Sequence, residues 1–144
     1  MKTAEQFNLV GPCGIYCGEC ECYKAKDSQQ MMDYLISRGI KVEKLPCPGC
    51  RDVEGKCPVI GSVCETYRCA KEHEVDFCYE CADYPCTRLM PMADGASIYP
   101  HNMKTFCLGF IKNKGLDEFV KAYPEIKLKY YKGKMAVGKG PQLD

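Results

Sequence analysis

Tryptophan is absent from the chain, and its 144 residues contain only two histidines, His73 and His101. So few histidines leave little for general acid–base work. No Ser/His/Asp arrangement, HExxH pattern or phosphate-cradling glycine loop is present either. A hydrolase is thereby set aside. Long apolar runs are missing too: the longest undiluted one, Phe106 to Ile111, has about six residues, far short of the ~20 that span a bilayer. Met1 to Val10 carries Lys2 and Glu5 and no apolar stretch of signal-peptide length. The expectation is a soluble cytoplasmic protein with no membrane partner, in a compartment where thiols stay reduced.

Net charge is also small, at +1, but it is unevenly spread. Residues 1–111 hold 12 Lys and Arg against 15 Asp and Glu, and residues 112–144 hold 8 lysines against 4 acids. The Lys- and Tyr-bearing tail (Lys127, Lys129, Tyr130, Tyr131, Lys132 and Lys134) has the composition to touch phosphates and stack bases. The patch is small, there is no tryptophan, and the isoelectric point is near 7.4. A solvated face, or one lying against the more acidic part of the chain, is the simpler expectation. A protein partner is expected ahead of nucleic acid.

Cysteine is abundant: 13 residues, about nine per cent, at the level that signals a stapled framework. A chain of this length can ordinarily build a core without staples. An odd count in a reducing compartment argues for metal over disulfides. Three C-x-x-C pairs occur, Cys17/Cys20, Cys47/Cys50 and Cys78/Cys81, with Cys13, Cys57, Cys64, Cys69 and Cys86 beside or between them. A C-x-x-C turn offers two sulfurs from one tight loop, and zinc takes four such ligands tetrahedrally. Eight ligands would serve two closed sites and all eleven could serve three, so two or three zinc ions are expected. Spacing does not fix which cysteines share an ion. The provisional grouping joins Cys47/Cys50 to Cys78/Cys81 and lets Cys13, Cys17 and Cys20 share a second site. Cys107 falls on an apolar helical stripe and reads as a small buried hydrophobe. Cys22, His73 and His101 stay open as ligands.

The expected fold is α-rich and irregular, with zinc knuckles joined by short helices, a C-terminal helical hairpin and little β. Residues 1–96 form the cysteine-rich metal-binding domain. Residues 97–144 form the hairpin and basic tail packed on it. Helices are expected near 28–38, capped by Asp27 or Ser28 and ended by Gly39, and near 65–72. A brief helix can open at Thr87 to Met90. Asn102 can cap a helix with the stripe Met103, Phe106, Cys107, Phe110 and Ile111. Leu116, Phe119, Val120 and Tyr123 make a second stripe, broken by Pro124, with a short strand possible over 127–131. Residues 40–63 read as a loop that metal ligation would order.

Four segments follow one another in a familiar order: Cys-Gly-Ile-Tyr-Cys-Gly-Glu-Cys at 13–20, Cys-Pro-Gly-Cys-Arg at 47–51, Tyr-Arg-Cys-Ala-Lys-Glu at 67–72, and Phe-Cys-Tyr-Glu-Cys-Ala-Asp-Tyr-Pro-Cys-Thr-Arg-Leu at 77–89. Over about residues 13–90 the chain resembles the domain of unknown function 3795 family, small cysteine-rich prokaryotic proteins presumed to bind zinc. The resemblance implies that Cys13, Cys17, Cys20, Cys47, Cys50, Cys57, Cys64, Cys69, Cys78, Cys81 and Cys86 are the family positions, with Cys22 and Cys107 extra to this chain. It implies no reaction.

The leading functional reading is a structural zinc protein that serves as a protein-interaction module. An iron–sulfur electron-transfer protein is the first alternative. Cys13-x3-Cys17-x2-Cys20 matches the cluster spacing of radical S-adenosylmethionine enzymes, but 144 residues cannot supply their large barrel. Thiol redox or metal handling is the second alternative. Against it, Cys47 lies in a proline-rich loop with no helix signal after Arg51 to lower a thiol pKa.

Overall fold

The computed structural model describes residues 3–89 and 103–144. The chain opens with a helix that the sequence pattern did not anticipate, α1 (Ala4–Leu9). Thr3 Oγ1 accepts from the Gln6 amide at 3.1 Å while Gln6 Oε1 accepts from the Thr3 amide at 3.3 Å. This reciprocal capping box satisfies two free helix-end donors. Val10 then bridges antiparallel to Tyr16 across a turn in which Gly14 takes φ 88°. A single 3-10 turn over Cys17–Glu19 leads into α2 (Glu21–Lys24).

α3 (Gln29–Ser37) is capped by Ser28, whose hydroxyl accepts from the Met31 amide at 3.1 Å. Gly39 follows its end at φ 96°, the left-handed position where glycine is at ease. Met31, Met32 and Leu35 pack on a small cluster with Cys22, Ala25 and Cys47. The irregular stretch to residue 63 has no α-helix or strand, only a short 3-10 turn at Val42–Lys44. α4 (Glu65–Glu72) starts directly after Cys64. No helix forms over Thr87–Leu89, and Met90 lies outside the described residues. The cap expected at Asn102 lies outside them too.

α5 (Met103–Lys114) and α6 (Leu116–Lys132) form the expected hairpin, linked by Gly115 at φ 90°. Met103, Cys107, Leu108 and Ile111 from α5 meet Leu116, Phe119, Tyr123 and Ile126 from α6, and Val10 and Phe77 complete this main core. Phe106, expected inward, is 49 % exposed and lies 6.0 Å from the Tyr130 ring.

Pro124 does not end α6. The helix runs on to Lys132, so residues 127–131 are helical and not a strand. Proline costs the helix one hydrogen bond, but Ile126 extends the buried stripe beyond it. Lys127 Nζ donates to Glu19 O at 2.7 Å and pairs with Glu21 at 3.1 Å. Tertiary anchors on both sides of Pro124 outweigh the missing bond. The chain ends in a two-stranded ribbon, β1 (Lys134–Ala136) and β2 (Gly140–Gln142), with Lys134 opposite Gln142.

Candidate metal centres

Twelve of the 13 cysteines lie in two neighbourhoods, eight between Cys13 and Cys64 and four between Cys69 and Cys86. The eight sort into two adjoining sets, with Cys17 near Cys20 and Cys47 as well and Cys57 near Cys64. The first contains Cys13, Cys17, Cys50 and Cys64. Gly11 lies between two of them: a β-carbon there would stand 3.6 Å from Cys50 Sγ and 3.8 Å from Cys13 Sγ. The Cys50 amide donates to Cys17 Sγ at 3.4 Å. Cys64 joins through the loop backbone, its amide bonding to Gly55 O at 2.8 Å and the Gly55 amide to Cys50 O at 3.0 Å. Gly55 has φ 80°, and a β-carbon there would meet the Tyr67 side chain at 2.8 Å, so no other residue fits this junction.

Cys20, Cys22, Cys47 and Cys57 make the second group. The Cys47 amide donates to Cys22 O at 2.9 Å. Thiolates at Cys20, Cys57 and Cys47 all oppose ionisation of Cys22, and Cys57 and Cys20 oppose that of Cys47. This sorting places Cys17 and Cys50 in one set and Cys20 and Cys47 in the other, although Cys17 also stands near Cys20 and Cys47, and Cys50 near Cys57. Between Cys47 and Cys50 the backbone reverses at Gly49, φ 124°, against Asn8 O.

The third group is Cys69 on α4, Cys78 and Cys81 at the ends of a 3-10 turn, and Cys86. With His73 they line one cavity of about 30 Å³, close to the volume share of a single water. Cys47 and Cys50 are not in it, contrary to the pairing expected from spacing. Backbone contacts carry those two cysteines to Cys22 and Cys17, and spacing along the chain contains no trace of either contact. Cys107, fully buried, stands apart in the main core against Gly14, and behaves as the hydrophobe expected.

Burial governs the thiols. It pushes Cys17 and Cys78 up to about 12 and raises Cys13, Cys47, Cys50 and Cys57. The exception is Cys20, drawn down to about 6 chiefly by the neighbouring Cys22 thiol. The same interaction raises Cys22. Crowded thiols that resist ionisation are suited to a divalent cation, which deprotonates them as it binds. The all-sulfur donor sets of the first two groups fit a soft or borderline ion.

Among the described residues, the donor atoms of His73, Cys81 and Asp83 all lie within 4.8 Å of one another; no three thiols of any of the three groups are so close. The sequence held a signal for His73, since Cys69-x3-His73 puts both on one helical face. The Cys20-x-Cys22 spacing likewise hinted at the grouping of Cys22. Asp83 carried no signal. His101 lies outside the described residues.

The family described as protein of unknown function (DUF3795) matches residues 9–91. No curated protein and no solved structure matches the chain.

Proposed function

The chain belongs to the DUF3795 family, and from that premise we propose that it is a structural zinc protein whose thiol groups each hold one ion and whose ordered surface serves a protein partner. The observation that carries the reading is the sorting of the thiols. Eight thiols crowd together between Cys13 and Cys64, four more surround one cavity, and the thirteenth lies in the apolar core; we read the twelve as three sets of four. The ligands are Cys13, Cys17, Cys50 and Cys64 in one centre, and Cys20, Cys22, Cys47 and Cys57 in the next. Cys69, Cys78, Cys81 and Cys86 supply the sulfur of the third.

A closed four-thiolate centre has no open position and activates no water. Zinc there supplies folding free energy, about 10–16 kcal/mol per site in small zinc peptides. That supply matters most over residues 40–63, where no α-helix or strand orders the chain. Such thiols require a reducing compartment, so the cytoplasm is the proposed location. Among the described residues, no helix is long and apolar enough to cross a membrane.

The test is elemental analysis with an absorption spectrum, on protein purified anaerobically without added metal. Three colourless zincs per chain are expected. Iron with matching sulfide and a brown chromophore would replace this reading with electron transfer.

A further inference from the structure

The third centre differs from the other two in its donors. Five of the eight residues that line its cavity carry potential donors, four cysteines and His73. The Asp83 carboxylate adds a sixth at the rim, its Oδ2 lying 3.8 Å from His73 Nε2. A tetrahedral zinc has four places.

His73 is oriented for ligation. Its Nδ1 lies 2.8 Å from Cys69 O. Cys69 Sγ lies 3.6 Å from the same nitrogen; in the tautomer that donates from Nδ1 to this carbonyl, Nε2 carries the ring's lone pair. A backbone carbonyl holding one ring nitrogen is the usual outer partner of a metal-bound histidine. Nε2 lies on the side of Asp83. The Asp83 amide in turn donates to Cys81 Sγ at 3.4 Å, fixing that sulfur and the carboxylate in one turn.

Exposure also separates this centre from the others. Cys86, His73 and Asp83 are all exposed, while Cys69, Cys78 and Cys81 have the intermediate burial of Cys13, Cys17, Cys20, Cys50, Cys57 and Cys64, and Cys22 and Cys47 are buried.

We propose that His73 is a nitrogen ligand of the third centre, binding through Nε2 beside Cys81, and that the ion held there is the one the protein exchanges. The inference rests on the zinc reading above. Extra donors at an exposed rim allow a ligand to leave as another enters, so the ion passes to an outside acceptor without ever being bare. The incoming acceptor is a thiolate- or nitrogen-bearing ligand for a borderline divalent cation.

The experiment mixes the zinc-loaded full chain with the chromophoric chelator pyridylazoresorcinol and follows release. One zinc is expected to leave in a fast phase and two slowly. In His73→Ala the fast phase should accelerate at least about tenfold, the minimum for losing a ligand where loss of an outer partner alone costs 10–100-fold. His73→Cys, which restores a soft donor, should slow it again. With cobalt in place of zinc, the visible bands of His73→Ala should shift for one ion in three. Three zincs released at one rate, with His73→Ala unchanged, would overturn this inference and leave the zinc module standing. A chain that binds no zinc at all would overturn both.

Discussion

Arg51 is the residue whose loss should loosen the first helix while leaving the metal ligands untouched. Its Nε donates to Val10 O at 2.8 Å and to Phe7 O at 3.1 Å, and its Nη2 donates to Asp76 O at 2.7 Å. The guanidinium also lies 3.9 Å from the Phe7 ring centre and 5.1 Å from that of Phe77. One side chain thus ties the end of α1, the loop after Cys50 and the segment before Cys78. Burial lowers its pKa, but a guanidinium stays charged at any physiological pH. Each charge-assisted bond contributes about 1.5–3 kcal/mol, and the two donating groups share three acceptors. Ring contact adds about 1 kcal/mol. Arg51→Ala should therefore cost about 4 kcal/mol, close to a thousandfold in the opening of α1. Hydrogen exchange of residues 3–12 in the zinc-loaded protein reads this directly. Arg51→Lys keeps the charge but offers one nitrogen where Arg51 offers two, and should lose about half as much. Exchange in Arg51→Ala within threefold of wild type would refute the reasoning.

Cys107→Ala should leave zinc content unchanged and lower stability by about 1–2 kcal/mol, because the sulfur fills the core and holds no ion; loss of an ion by elemental analysis would contradict this. Gly14→Ala should destabilise by about 1–3 kcal/mol. Gly14 sits at φ 88°, and its added carbon would lie 3.1 Å from Cys107 Cβ and 3.2 Å from Leu108 Cγ; urea unfolding of the loaded protein would measure the loss. Alkali should weaken the hairpin core through Cys107, which burial pushes from 9.0 to about 12. Folded, the thiol keeps a proton that the unfolded chain gives up. The contribution is therefore complete below pH 9 and falls away as pH climbs toward 12, by up to about 4 kcal/mol. Comparing unfolding midpoints of wild type and Cys107→Ala at pH 8 to 10 isolates it.

What was legible in the sequence is what local chemistry controls. Ser28 and Gly39 bracket α3 by capping and turn preferences that act over a few residues. α1 has such a signal as well, Thr3 with Gln6, but the helix is six residues long and Leu9 is its one buried residue, too little for periodicity to register. Pro124 misled for the opposite reason. Its local cost is real, and Ile126 and Lys127 outweigh it through contacts with residues far away in sequence. The thiol grouping was the least legible. The Cys17–Cys50 contact spans 33 residues, and a C-x-x-C pair looks the same whether its sulfurs share an ion or part company.

That division of the knuckles has a consequence for loading. On the proposed grouping, the ligands of the first two centres run Cys13 and Cys17, then Cys20, Cys22 and Cys47, then Cys50, then Cys57, then Cys64, so the two sets interleave along the chain. An ion held by Cys20, Cys22, Cys47 and Cys57 would close the stretch that delivers Cys50 to Cys17. Without it, the first centre must bring Cys17 and Cys50 together across a free loop and pay its closure entropy alone. The second centre likewise needs Cys50 and Cys64 fixed to position Cys57 between them. Cys69, Cys78, Cys81 and Cys86 lie after all of these and close their own short loops. Cys47→Ser should accordingly lower zinc from three ions to one, with the third centre still loaded, and Cys22→Ser should do the same. Two zincs remaining in either variant would mean that the centres fill independently, and that the alternation of ligands along the chain carries no coupling.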